Sequence, residues 1–279
     1  MKVARFFQTP KGLLLVALTP ILIVATLHEG ATEVTPGLAA AILAGAALDT
    51  AILRVRRRRW VFPDGAILTA MLVAMVLSPR EQWWVPAITT IVGVLPKYVV
   101  RVSKANVFNP AALGLVATSY IFDTAQNWWG SMPGVPLGLA LLFAIGLFIA
   151  QRVNKLPVVI AFLGTYYALF TVTAFAGNPL HVAEVYRAPD LQMALFFAFF
   201  MVSDPPTSPP KDRDQMVYGV IVGAMSFLFF EAVGAAYYLL VGLLAGNVWE
   251  AWRRWRGRGA RENSRNAWLS IPTRATGRS

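Results

Sequence analysis

The sequence predicts an all-α polytopic membrane protein with about ten transmembrane helices in two inverted five-helix repeats. Three observations carry that expectation. Hydrophobic residues fill 57% of 279 positions and charged residues only 14%, where a soluble domain carries roughly a quarter charged. The apolar residues fall into runs of bilayer-entering length, and every second connection between runs is basic. An Asp-to-Pro spacing in the third run returns in the eighth.

The net charge of +11 belongs to short clusters between apolar runs, which assigns it to cytoplasmic loops and gives no nucleic-acid partner. The chain has no cysteine, which excludes disulfides, iron–sulfur clusters and thiolate metal sites within it. His28 and His181 both fall near run ends and do not make a bis-histidine haem site. His181 and Glu184 lie three apart without a third ligand, so they read as loop residues, and no metal site is expected. Any redox cofactor here is organic.

Lys2, Arg5 and Lys11 precede the first apolar run, at about 13–27. It has the outline of a signal peptide, but no small-x-small cleavage site follows and further runs come at once, so it is read as a first transmembrane helix. Nine more runs follow, at about 36–53, 64–78, 84–101, 110–122, 135–150, 156–173, 190–203, 215–230 and 232–249. The basic connections are Arg54 with Arg56 to Arg59, then Lys97, Arg101 and Lys104, then Arg152 and Lys155, then the Arg-rich C-terminal stretch. Both termini are therefore expected in the cytoplasm, with the protein multi-pass in the plasma (inner) membrane. Only the loop after the eighth run is ambiguous, since Asp204, Asp212 and Asp214 offset Lys211 and Arg213.

Trp83, Trp84, Trp128, Trp129, Trp249 and Trp252 fall at run ends, where amphipathic rings anchor at the interface. The fifth run opens at Asn109-Pro110, a helix start in which Asn109 caps and Pro110 loses nothing by lacking an N–H. The organisation expected is one transmembrane domain over 1–250, with repeat one at about 13–122 and repeat two at about 135–249. A basic tail over 251–279 is expected to be disordered and to lie against the lipid bilayer, on anionic lipid.

The most informative stretch is Asp190–Gly219. Its apolar run ends at Ser203-Asp204-Pro205-Pro206, after a helix of about 20 Å that cannot cross a hydrocarbon core of about 30 Å. Asp204 and the hydroxyls of Ser203, Thr207 and Ser208 therefore come at or near membrane depth, where polar groups persist only in protein or in a wet cavity. The third run, Asp64 to Pro79, has the same Asp-to-Pro spacing as Asp190 to Pro205. Each is third in a block of five, and the odd number turns the second block over. Such repeats set short helices from both halves at one site near the midplane. Asp64, Asn109, Ser203, Asp204, Thr207 and Ser208 are the candidate cofactor-binding or translocation residues, and no catalytic residue can be named.

Asp64-Gly65 opening one short run, Phe108-Asn109-Pro110-Ala111 opening another, and Ser203-Asp204-Pro205-Pro206-Thr207-Ser208-Pro209 followed by Tyr218-Gly219 resemble, in that order, the RnfD and NqrB membrane subunits of the Rnf and sodium-pumping NADH:quinone oxidoreductase complexes. The resemblance covers most of the chain. It implies about ten helices in two inverted halves, flavin-mediated electron transfer, cation movement and other membrane redox subunits as partners. Family members esterify FMN to a threonine after the seventh helix, where this chain has Phe175-Ala176-Gly177-Asn178-Pro179. Asn178 cannot form that phosphoester, so no covalent flavin is expected, and a flavin would be noncovalent FMN or riboflavin. The departure suggests a divergent, stand-alone relative, like the members that accompany some enediyne biosynthetic genes. Two functions follow: a redox-coupled subunit, whose cofactor supplies the chemistry, or a transporter or channel for a cation or small polar solute using the oxygens at Asn109, Asp204, Thr207 and Ser208. A third treats these residues as caps and turns of a scaffold or export accessory.

Overall fold

The computed structural model describes residues 9–58, 60–102, 105–177 and 185–269. Helix α1 (Pro10–Glu29) starts where Thr9 accepts from the Gly12 N–H at 3.1 Å and Pro10 occupies the first turn. Gly30, at φ 112°, turns the chain into α2 (Ala31–Arg57), which ends in left-handed Arg58. Helix α3 (Asp64–Val76) is short, and α4 (Trp84–Val94) follows. The sequence expectation of one helix over 84–101 is corrected here. Pro96 restarts the chain as a single turn, α5 (Pro96–Val99), and Arg101–Val102 (β1) then pairs antiparallel with Ala105–Asn106 (β2).

Helix α6 (Pro110–Phe122) and a 3-10 turn at Trp129–Ser131 lead to α7 (Pro136–Arg152) and α8 (Leu156–Phe175). Helix α9 (Ala188–Phe197) loosens into a π-helical turn, Ala198–Val202, before α10 (Asp212–Val233) and α11 (Tyr238–Leu269). Helix α11 runs to Leu269 through a stretch rich in Arg, a good helix former, with the next proline only at Pro272. Asn178, His181 and Glu184 lie outside the described residues, as do Arg59 and Lys104.

The protein is an all-α membrane protein. Among the described residues four helices, α1, α2, α8 and α10, are long and apolar enough to cross a bilayer, and five apolar helical stretches of 10–17 residues accompany them. Burial sets two of the shorter helices apart. From Leu68 to Val76 every side chain of α3 is buried, and so is every one from Ala194 to Val202 at the end of α9. A helix apolar all round is a core helix, whereas α1, α2, α8 and α10 each expose large apolar side chains outward. Helix α2 packs on α3 and α4, α4 on α6, α8 on α10, and α10 on α11, while α1 packs against both α3 and α7.

The α4–α6 crossing depends on two glycines. A Cβ at Gly93 would sit 2.1 Å from the Pro110 carbonyl oxygen, and one at Gly114 would sit 2.4 Å from that of Thr89. Small residues at such crossings let backbones touch, which is a main source of helix association in lipid. Gly93→Ala is expected to lower thermal stability in detergent by about 1–3 kcal/mol through overpacking. Gly164→Ala, with nothing within 4 Å of the added carbon, is expected to leave it unchanged or slightly raised. Melting of the two variants beside the parent checks both.

Candidate functional site

The site is built where α9 is forced to stop. Pro205 and Pro206 have no N–H to return to the carbonyls of Met201 and Val202. The Ser203 hydroxyl turns back and donates to Phe199 O. Asp204 N reaches Met201 O at 3.4 Å, and the Asn109 side-chain amide donates to the same carbonyl at 3.3 Å. Asn109 is 2% exposed and does more than cap. Its Oδ1 accepts from Ala112 N–H at 3.1 Å, and its backbone N–H donates to Asn247 Oδ1 at 2.8 Å. Asn247 Nδ2 in turn donates to the Tyr218 hydroxyl at 2.6 Å. One buried amide chain thus ties α6, α10 and α11 to the end of α9.

The loop beyond the break is held by charge from outside. Thr207 Oγ1 donates to Asp204 Oδ2 at 2.8 Å, and Ser208 Oγ donates to Asp204 O at 2.7 Å. The Arg254 guanidinium donates to Pro206 O at 3.2 Å and Ser208 O at 3.4 Å, and Lys155 Nζ donates to Ser208 O at 3.4 Å and to Pro209 O. Glu250, 1% exposed, accepts from Arg254 Nε and Arg253 Nε, each at 2.7 Å, and Arg253 also holds Asp214 at 2.7 Å. A buried carboxylate is sustained only by such pairing.

A cleft of about 40 Å³ lies beside this loop, lined by Gly65 and Thr69 of α3, Asn109 and Pro110, Asp204 and Pro206, and by Lys11 and Lys97. Lys11 Nζ stands 3.6 Å from Asp64 Oδ1, which also accepts from Gly65 N–H at 2.6 Å. Lys97 is ion-paired with buried Asp49, to which the Tyr98 hydroxyl also donates. The volume is of the order of one water molecule's share of the liquid, roughly 30 Å³. Polar oxygens and two ammonium groups from separate parts of the chain meet around a space that admits water or a small ion.

The candidate residues divide. Asn109 and Asp204 line the cleft, and Asp64 stands at its edge through Lys11. Thr207 braces Asp204, Ser203 is turned back into its own helix, and Ser208 lends its carbonyl to Lys155 and Arg254. The sequence echo expects the two short helices at one site, and the cleft shows which of their ends come together. The start of α3 meets the end of α9. Pro79 is fourteen residues past Gly65, about 20 Å away at helical rise, where Val76 O accepts from Asn127 and Trp128 N–H, each at 3.0 Å. Trp129 Nε1 donates to Ala74 O at 2.6 Å, so Trp128 and Trp129, expected as interfacial anchors, are buried caps on the other break. Lys155, Asn247, Glu250 and Arg254 escaped sequence reasoning as site residues. Asn247 carried a readable signal, a lone amide inside an apolar run.

A family model described as the NQR2, RnfD, RnfE family matches residues 7–133 and 122–249. The chain is similar to a subunit of the ion-translocating oxidoreductase complex of Pseudomonas aeruginosa, at 26% identity over 82% of this chain and 85% of that one. It is similar to the corresponding subunit of Actinobacillus succinogenes at 23% identity, over 78% of this chain and 84% of that one. A shorter match, 34% identical over 107 residues, joins 38% of this chain to 27% of the corresponding subunit of Haemophilus influenzae.

Burial pushes the Lys155 ammonium down from its ordinary 10.5 to about 8, against the pull of Asp204 and Glu250 and with a further push from Arg254. The folded state thus binds this proton less tightly than the unfolded one, and stability rises with pH between about 8 and 10.5. The rise is on the order of 3 kcal/mol. Lys155→Met is expected to flatten that rise, measured as the difference between parent and variant melting temperatures across the window.

Proposed function

The chain belongs to the NQR2, RnfD, RnfE family, and on that premise we propose that it is a membrane-integral subunit of electron transport coupled to cation translocation, working with other membrane redox subunits. The observation that carries this reading is the cleft at Asn109 and Asp204, a polar, water-sized space enclosed by two core helices and the start of a third. With Lys11 and Lys97 paired to Asp64 and Asp49, the oxygens of Asn109 and Asp204 are left to take a small cation or a proton carried on water. In this reading Asp204, braced by Thr207, supplies the negative charge, and the Asn109–Asn247–Tyr218 chain holds the carbonyl end of α9 in place.

The proposed architecture is ten spans in two inverted halves with both termini cytoplasmic. Support comes from matching neighbours: α2 lies on α4 as α8 lies on α10, α4 on α6 as α10 on α11, and α1 on α3 as α7 on α9. The charges of the Arg-rich C-terminal stretch are assigned to anionic lipid. A flavin does not fit the cleft, since about 40 Å³ is far less than a three-ring isoalloxazine occupies. A noncovalent FMN or riboflavin is therefore placed outside it, and no step is routed through one. No covalent flavin is proposed, on the reading that Asn178 falls where the resemblance places the acceptor threonine. The same small volume favours a second reading, in which the chain passes a cation without any cofactor.

Three measurements test these proposals. Reporter fusions after Arg59 and after Asp123 are expected on opposite sides of the membrane, and the same side for both would remove the inverted architecture. Affinity purification of the chain from its own membranes is expected to bring down redox subunits and visible flavin absorbance that denaturation releases. Cation uptake into liposomes by the chain alone, without chromophore or partners, would instead support the cofactor-free reading. In either case Asp204→Asn is expected to lower cation flux by at least about tenfold, ~1.4 kcal/mol of barrier, in a protein that still folds, and unchanged flux would sink the site.

A further inference from the structure

On the outer surface of the basic end, Ala51, Ile52, Val55 and Arg56 of α2 form one wall of an open groove of about 750 Å³, and Leu95, Pro96, Tyr98, Val99 and Val100 form the other. The volume falls in the range of small-molecule sites, roughly 300–1,000 Å³. Its apolar walls are bare, with Val55 79% and Val99 81% exposed. The groove's polar side chains are Arg56 and Tyr98, and the Tyr98 hydroxyl is committed to Asp49. A quinone ring or a flavin carries polar atoms on opposite edges, and with Arg56 as the one lining side chain left to donate among the described residues, part of them would stay unsatisfied. An acyl chain has no such need.

Charge identifies the other end of the ligand. Arg54, Arg56 and Arg58 lie at the C-terminal end of α2, and among the described residues no carboxylate is ion-paired with any of them. The Arg56 guanidinium lies 5.2 Å over the Tyr98 ring and donates to Tyr98 O at 3.1 Å, which fixes it at the groove and leaves its remaining donors for a ligand. Arg54 stacks 5.4 Å over exposed Trp60, a pairing suited to the headgroup level. A guanidinium fork matches a phosphate bidentately. From this juxtaposition we infer that the groove is a binding site for one anionic phospholipid, an acyl chain lying between α2 and the Leu95–Val100 segment and its phosphate held by Arg56.

The full chain, purified and delipidated in detergent, would be titrated with dioleoyl phosphatidylglycerol and dioleoyl phosphatidylcholine and read by native mass spectrometry. The parent is expected to retain the anionic lipid over the zwitterionic one by about fivefold. Arg56→Gln is expected to bring that ratio close to one. Val99→Trp, which fills the groove from an exposed position and leaves the core untouched, is expected to reduce retention of both lipids. Arg152→Gln, on another exposed arginine outside the groove, is expected to change nothing. The inference fails if the parent shows no headgroup preference, or if that preference survives in both groove variants. It fails equally if decylubiquinone displaces phosphatidylglycerol from the parent, since the groove would then be a quinone site.

Discussion

The constraint on which the rest of the structure depends is that a helix ending inside an apolar surrounding must find partners for the carbonyls it leaves open. Helices α3 and α9 both stop short, and each break is closed by a side-chain N–H from a distant part of the chain. Trp129 reaches Ala74 O, and Asn109 reaches Met201 O. Each donor is itself held by the turn or cap in which it sits. Asn109 can serve Met201 because Pro110 and Ala112 begin a helix there, and Trp129 can serve Ala74 because loop 125–128 is bonded to Val76 and Ser78. The breaks and the connections that close them are therefore one structural unit.

Charge is arranged by the same rule. Buried Asp49 meets Lys97, and buried Glu250 meets Arg253 and Arg254. Removing one partner of such a pair costs more than the pair contributes, because the other charge stays buried. The arginine that neutralises Glu250 also donates to the carbonyls of the loop after α9. Loop geometry and the buried charge are thus coupled, and the position of Asp204 in the cleft rests on a residue fifty positions away. The cleft is small in part because two lysine side chains reach across Gly65: a Cβ there would stand 3.0 Å from Lys11 Nζ and 3.8 Å from Lys97 Nζ.

Two kinds of surface result. Inside, polar groups converge on a space the size of a water molecule; outside, at the same basic end, an apolar groove carries its charge at the margin. The first suits a small hydrophilic cargo and the second an amphiphile, and the difference follows from where the polar atoms lie rather than from volume. The family membership bears on the first and says nothing of the second.

The sequence by itself determined the class of the protein and the places where its helices must stop. Apolar content settles burial in a membrane, Pro205-Pro206 forbids continuation of α9, and Asn109-Pro110 starts α6, since each follows from what a residue can donate or accept locally. Asn109, Asp204 and Asp64 were legible as candidates because polar groups beside prolines in apolar runs are costly wherever they fall. Their partners were not. Whether Trp129 anchors at an interface or caps a buried carbonyl, which end of α3 faces Asp204, and which cation neutralises Glu250 all depend on contacts between residues far apart in the chain. The periodicity of a segment tells how it folds and is silent on its neighbour, so tertiary structure alone decided that the start of α3 meets the end of α9.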